Sequence, residues 1–250
     1  MNRQARAARR ARIIAIAIVA VTGIAVLATG AARMLKPRPD HVDPDRERYP
    51  IAGIDISAHN GFIDFGRVAA DSISFVYIKA SEGTTFRDAN FEDNFDRARR
   101  AGLKVGAYHF FRFDSEGWRQ GANLLRALGH RTPDMPLAID VEEWRNHSGG
   151  VTGEIILQLQ AMVDYLRAAG HHVIIYTNKG GHRRFIRGHF DDTGLWVCSF
   201  TDPPISRADW LLWQHSHSGR VDGVAGPVDL NTFCGDSAAW RTALSRWAGQ

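Results

Sequence analysis

Residues 73 to 111 read ISFVYIKASEGTTFRDANFEDNFDRARRAGLKVGAYHFF, and the order of patterns inside them decides the fold class. ISFVYIKA (73–80) is a short apolar run rich in β-branched and aromatic residues, the signature of a buried strand. Ala89 to Ala101 carries helical periodicity and stops at Gly102, a residue that closes helices because it accepts a left-handed backbone. KVGAYHFF (104–111) then repeats the strand pattern. Strand, helix, glycine, strand predicts a parallel α/β domain. The same grammar extends outward in both directions. IAGIDIS (51–57), PLAIDVE (136–142), HVIIYT (172–177), LWVCSF (195–200) and DWLLWQH (209–215) read as further strands. Glu116 to Leu128 and Gly153 to Ala169 read as helices ending near Gly129 and Gly170.

An open doubly wound sheet and a closed barrel both fit this order. The first strand runs into SAHNG and not into a glycine-rich phosphate loop, which argues against the nucleotide-binding version. Polar, potentially reactive residues end many different strands: Asp55, Lys79, His109, Asp140, Glu142, Tyr176 and Gln214. Barrel active sites are assembled from successive strand ends in this way. Helices between the later strands look short or absent. The expectation is therefore an irregular, TIM-like (β/α) barrel.

Composition sets the surroundings of that domain. The chain has 250 residues and a net charge of +4. Arg3, Arg6, Arg9, Arg10 and Arg12 supply five positive charges before the first apolar run, and the rest of the chain sums to minus one. The basic balance is a terminal feature, so it gives little support for nucleic-acid binding. Residues 13 to 32, IIAIAIVAVTGIAVLATGAA, hold no charge and as a helix would be about 30 Å long, enough to cross a hydrocarbon core. The reading is a basic cytoplasmic tip (1–12), a transmembrane anchor or cleaved signal segment (13–32), a proline-containing linker (33–50) and a folded domain (51–250) outside the cytoplasm. Ala28, Gly30, Ala31 and Ala32 offer sites for cleavage. Cys198 and Cys234 are too few for a multi-bridge scaffold or a four-cysteine zinc site. Export would permit a disulfide between them, with two buried thiols as the alternative.

Asp140 and Glu142 stand two apart at the end of PLAIDVE, with Trp144 just beyond. Side chains at i and i+2 of a strand share a face, with Cα atoms roughly 6.6 to 6.8 Å apart. Two carboxylates on one dry face repel, so one holds a proton near neutrality while the other stays ionised. Glycosidic hydrolysis needs that division: an acid for the leaving oxygen and an anion for the sugar cation. Asp55 lies inside another apolar strand, and Asp229 lies in GPVDLNTF near the end of the chain. In a closed barrel the first and last strands are neighbours, which would bring these two acids beside the pair.

The chain also resembles glycoside hydrolase family 25, the lysozymes or N-acetylmuramidases of bacterial peptidoglycan. The resemblance is carried by GIDISAHNG (53–61), FID (62–64), FVYIKASEG (75–83), AGLKVGAYHFFR (101–112), PLAIDVE (136–142), IIYTNKG (174–180) and WQHSHSGRVDGVAGPVDLNTF (213–233), in the family's order. It implies an irregular β/α barrel with its pocket at the strand carboxyl ends. It implies Glu142 as general acid, Asp140 as the carboxylate assisting at the anomeric centre or orienting the acetamido group, and Asp55 and Asp229 as further acids of the site. It implies hydrolysis with retention, without metal or organic cofactor. The chain departs from the family pattern at Cys198 and Phe200, where many members have a small residue and a tyrosine.

Around the acids, His59, Lys79, Glu82, His109, Asn178 and Gln214 are candidates to orient substrate or carboxylates. Tyr108, Phe110, Tyr176, Trp196 and Trp213 are candidates for sugar-ring contact or pocket wall. Core packing is an equal alternative for each aromatic, as a structural hydrogen bond is for each polar residue. His171 and His172 face opposite ways on a strand, and His215 and His217 lead into a turn, so surface clustering explains them better than a metal site. The expected function is cleavage of the β-1,4 bond between N-acetylmuramic acid and N-acetylglucosamine, with peptidoglycan glycan strands as partner and the membrane as a second partner if the anchor persists. A noncatalytic peptidoglycan-binding module and a glycan deacetylase are the competing readings.

Overall fold

The computed structural model describes residues 40–146, 150–202, 204–205 and 210–248. The expected basic tip and apolar segment fall outside them. Among the described residues no helix is long and apolar enough to cross a membrane.

The domain is a closed barrel of eight strands. β1 (Ala52–Ile56), β2 (Ile73–Glu82), β4 (Lys104–Phe110), β5 (Leu137–Asp140), β6 (Val173–Asn178), β7 (Gly194–Cys198) and β8 (Leu212–Gly219) run parallel in sequence order. β9 (Val228–Phe233) is inserted antiparallel between β8 and β1 and completes the ring. The two-residue β3 (Phe86–Arg87) only extends the end of β2. The irregularity expected from the missing late helices is real: β8 turns directly back into β9, and among the described residues no helix lies between β7 and β8.

Helices α1 (Phe65–Ala70), α2 (Phe91–Arg100), α3 (Gly117–Leu128) and α4 (Thr152–Ala168) follow β1, β3, β4 and β5. After β6 there is only α5 (Lys179–Gly181), which continues into a π-helical turn, His182–Ile186. The final helix, α6 (Ser237–Trp247), brings Trp240 and Trp247 into the apolar cluster of the barrel interior. Gly102, Gly129 and Gly170 all have positive φ, so the predicted helix stops rest on the left-handed conformation that glycine supplies.

Strand alternation divides the core into two layers. Ile54, Val76, Ile78, Val105, Leu137, Ile139 and Ile175 pack between the barrel and the helices. Phe75, Tyr77, Ala138, Ile174, Tyr176, Trp196 and Leu212 fill the interior. Two glycines make the interior possible. A Cβ on Gly53 would sit 2.3 Å from the Phe75 ring, and one on Gly106 would sit 2.3 Å from the Tyr77 ring. With large rings filling the lower interior, the polar residues on the same inward faces gather at the carboxyl ends of the strands.

The segment expected as linker enters the described residues at Asp40, and from there it packs on β8. Val42 N donates to His215 O at 2.9 Å, and His215 Nδ1 lies 2.9 Å from Val42 O. Tyr49 is buried against Trp210 and Trp213.

Candidate active site

Asp55, Asp140, Glu142 and Asp229 border one cleft of about 490 Å³ at the strand carboxyl ends. Asp55 is the penultimate residue of β1, Asp140 closes β5, and Glu142 follows two residues later on the same side. Asp229 is the direct cross-strand partner of Asp55 in the antiparallel β1–β9 pair. The closure of the barrel therefore brings together acids separated by up to 174 positions, which the sequence order alone leaves apart.

A relay of side-chain amides fixes Asp55. Trp196 Nε1 donates to Asn231 Oδ1 at 2.8 Å, and Asn231 Nδ2 donates to Asp55 Oδ2 at 2.8 Å. Tyr176 Oη donates to Gln214 Oε1 at 2.7 Å, and Gln214 Nε2 donates to Asp55 Oδ2 at 2.8 Å and to Asp229 Oδ2 at 3.3 Å. Because an indole N–H only donates, Asn231 must turn its oxygen to Trp196 and its NH₂ to the carboxylate. Asn231 is fully buried and carries no signal that marks it in sequence.

The electrostatics separate these acids from ordinary carboxylates. Asp55 is raised from 3.8 to about 8, first by burial and then by the Asp229 charge, against the two amide hydrogen bonds. Asp140 is pushed well above the carboxylate range by burial and by Glu142, with Lys79 opposing. Its Oδ1 is buried without a hydrogen-bond partner. Glu142 is raised by burial and held back by the Tyr176 hydroxyl and the positive charge of His217. The Asp140–Glu142 pair thus keeps a proton to higher pH than a lone carboxyl does.

Most of the residues expected around the acids reach the cleft. His59, Lys79, Tyr108, Tyr176 and Gln214 line it, as do the aromatics Phe110 and Trp196. Lys79 Nζ pairs with Glu82 Oε2 at 2.7 Å and sits over the Phe110 ring. Glu82 also lies 3.6 Å from Arg112 and serves to hold Lys79, standing behind the cleft wall.

Besides Glu82, three expected residues stand apart from the cleft. His109 is fully buried between Ser81 and Gln120, and burial drops its pKa to about 4. Asn178 accepts from the Gly180 and Gly181 amides and caps α5. Trp213 faces the outer layer and donates to Ser199 O at 2.7 Å. Alternation along β4 and β8 explains two of them: Tyr108 and Gln214 face inward, so His109 and Trp213 face outward.

The sequence reading missed Ser57, Arg145 and His217 as cleft residues, and it noted Trp144 only as lying beyond the acids. Trp144 is 64% exposed at the mouth, with the Arg145 guanidinium 4.3 Å above its ring. His217 Nδ1 meets Asp229 Oδ1 at 3.1 Å, and its Nε2 lies 3.6 Å from Cys198 Sγ. These two contacts, Asp229 first, raise His217 to about 11, so it is a cation among the acids. The β8 register shifts beyond Gln214 and again beyond Ser216, and strict alternation cannot foresee where His217 points. Cys198 and Cys234 form no disulfide: Cys198 is buried and Cys234 exposed. Among the described residues no group of three or more His, Cys, Asp or Glu side chains is placed to hold a metal ion.

Residues 54–224 match the model of glycosyl hydrolases family 25. The chain belongs to that family. By descent it is therefore a glycoside hydrolase. It is 32% identical to an autolytic lysozyme of Clostridium acetobutylicum over 72% of this chain, although it spans only 55% of that relative's length. It is 32% identical to lysozyme M1 of Streptomyces globisporus over 75% of this chain and 69% of that protein. The structure of a family 25 glycosyl hydrolase from Bacillus anthracis superposes with a TM-score of 0.74 at 29% identity, covering 83% of this chain and 98% of that one. The bacterial lysozyme of Streptomyces coelicolor gives a TM-score of 0.69 at 30% identity, with coverages of 79% and 98%.

Proposed function

We propose that this family 25 hydrolase is an N-acetylmuramidase, cutting the β-1,4 bond between N-acetylmuramic acid and N-acetylglucosamine in peptidoglycan. The observation that carries the reading is the meeting of Asp55, Asp140, Glu142 and Asp229 around a single open cleft. The lysozyme relatives support peptidoglycan as the polymer.

Glu142 is assigned as general acid because it borders the open cleft, where burial raises its pKa above the ordinary carboxyl value. It protonates the departing glycosidic oxygen, and as a carboxylate it then draws a proton from the incoming water. Asp140, deeper at the end of β5, stabilises positive charge at the anomeric carbon or orients the substrate acetamido group. Asp55 and Asp229 shape the opposite wall through the Gln214 and Asn231 amides. His59, Lys79, Tyr108, Tyr176 and Gln214 position the sugar, and Trp144 offers an indole face at the mouth. Work on the cell wall places the domain outside the cytoplasm, held by residues 13–32 or released after their cleavage.

Digestion of purified peptidoglycan with product mass spectrometry tests this assignment. Wild type releases fragments with new N-acetylmuramic acid reducing ends. Glu142→Gln slows release by about 100-fold or more while still binding glycan, and Asp140→Asn slows it as well. Fragment release by a folded Glu142→Gln at the wild-type rate overturns the acid assignment. Acetate release without chain cleavage indicates a deacetylase, and binding without any product indicates a noncatalytic module.

A further inference from the structure

Cys198, His217 and Asp229 come from β7, β8 and β9 and form a continuous chain of contacts that runs from the acid-lined cleft wall to a thiol with no part in the proposed hydrolysis. Cys198 Sγ lies 3.6 Å from His217 Nε2, and His217 Nδ1 lies 3.1 Å from Asp229 Oδ1. Thiol, imidazole and an orienting carboxylate in this order are the arrangement that activates a sulfur nucleophile. Phe200 braces the imidazole from the side, its ring 5.0 Å away. Cys198 and Phe200 both touch His217.

Access decides what the sulfur can meet. Cys198 is 7% exposed, while the His217 side chain is 45% exposed and lines the glycan cleft. A sulfur so nearly enclosed beside a half-exposed imidazole favours a reagent of about the size of water over a bulky one. We propose that Cys198 is a modification site, a thiol served by His217 and Asp229 that hydrogen peroxide converts to a sulfenic acid, shutting the cleft until a thiol reductant restores it.

In that step the thiol proton leaves to solvent and the sulfur attacks one peroxide oxygen. The S–O bond forms as the O–O bond breaks. The departing hydroxide takes up a proton, so thiol and peroxide yield sulfenic acid and water. Sulfur is oxidised by two electrons and peroxide is reduced. The Nε2–H of a protonated His217 supports negative charge on sulfur during attack. The added oxygen has no room between Sγ and Nε2 and displaces the imidazole from Asp229, which is how oxidation reaches the cleft wall.

The consequence for activity rests on the muramidase reading, whereas the chemistry at sulfur does not, and the test separates them. The purified full chain is exposed to hydrogen peroxide, quenched with catalase, unfolded in urea containing dimedone and digested for mass spectrometry. Cys234, which is exposed, is the internal reference. Cys198 is expected to form the dimedone adduct about tenfold faster than Cys234, and His217→Phe is expected to slow it by about tenfold. An N-acetylglucosamine–N-acetylmuramic acid oligosaccharide shields Cys198 and leaves Cys234 unchanged. Fragment release falls in step with labelling and returns with dithiothreitol, while Cys198→Ala keeps its own untreated rate after peroxide. Labelling of Cys198 no faster than Cys234 overturns the proposal without any variant, and an unaltered rate in folded His217→Phe does the same. Complete labelling with undiminished fragment release overturns the shutting of the cleft. If untreated wild type releases no fragments, the muramidase reading fails and the labelling ratio still decides the thiol.

Discussion

Asp55 shows how one buried acid links site and stability. Its ordinary value of 3.8 becomes about 8 in the fold. Between those values the native protein holds a proton that the unfolded chain has released, so stability declines as pH climbs from about 4 to about 8 and is level on either side. Asp55→Asn keeps an oxygen to accept from Asn231 and Gln214 and removes the proton from the balance. Thermal melts are expected to show the variant gaining on wild type at about pH 8.5 relative to about pH 5. An equal difference at both pH values contradicts a raised Asp55. Asn231 illustrates the opposite case, a residue with no charge and no motif whose role comes from standing between Trp196 and Asp55.

At the scale of elements, the packing of α3 on α4 depends on GWRQG (117–121). Gly117 and Gly121 lie four apart on one face of α3. A Cβ at Gly117 would fall 1.7 Å from the backbone oxygen of Gln158 in α4, and one at Gly121 would fall 2.8 Å from the Tyr165 ring. Gly117 also donates its amide to Gln158 Oε1 at 2.9 Å. Gly117→Ala must separate two backbones, so it is expected to destabilise by about 3 kcal/mol in urea titration, at the upper end of overpacking costs. Gly121→Ala meets only a side chain and costs about 1 kcal/mol. Equal costs would show that the helices part freely.

For the molecule as a whole, the barrel is braced from outside by the stretch that precedes β1. His41 bridges Ser216 in antiparallel fashion, and Thr232 Oγ1 donates to Tyr49 O at 3.3 Å. Tyr49 is 4% exposed in an aromatic cluster with Trp210 and Trp213, on the far side of β8 from Gln214. Tyr49→Ala is expected to cost about 3 kcal/mol, comparable with other aromatic truncations. Its fragment release at low temperature is expected to stay near wild type, because Tyr49 packs on Trp210 and Trp213, outside the cleft lining. Urea unfolding alongside peptidoglycan digestion checks both, and loss of activity without loss of stability contradicts the division.

The sequence by itself determined the alternation of strands and helices, the glycine stops, the choice of barrel over open sheet and the acids at 55, 140, 142 and 229. Each of these is a local pattern, set by side-chain period, backbone freedom or the cost of charge in an apolar run. Only the tertiary structure decided that β9 runs antiparallel beside β1, that His217 faces into the cleft and that Asn231 stands buried between Trp196 and Asp55. Those outcomes depend on ring closure and on register shifts in β8. Such shifts come from pairing between strands distant in sequence, and no local period records them.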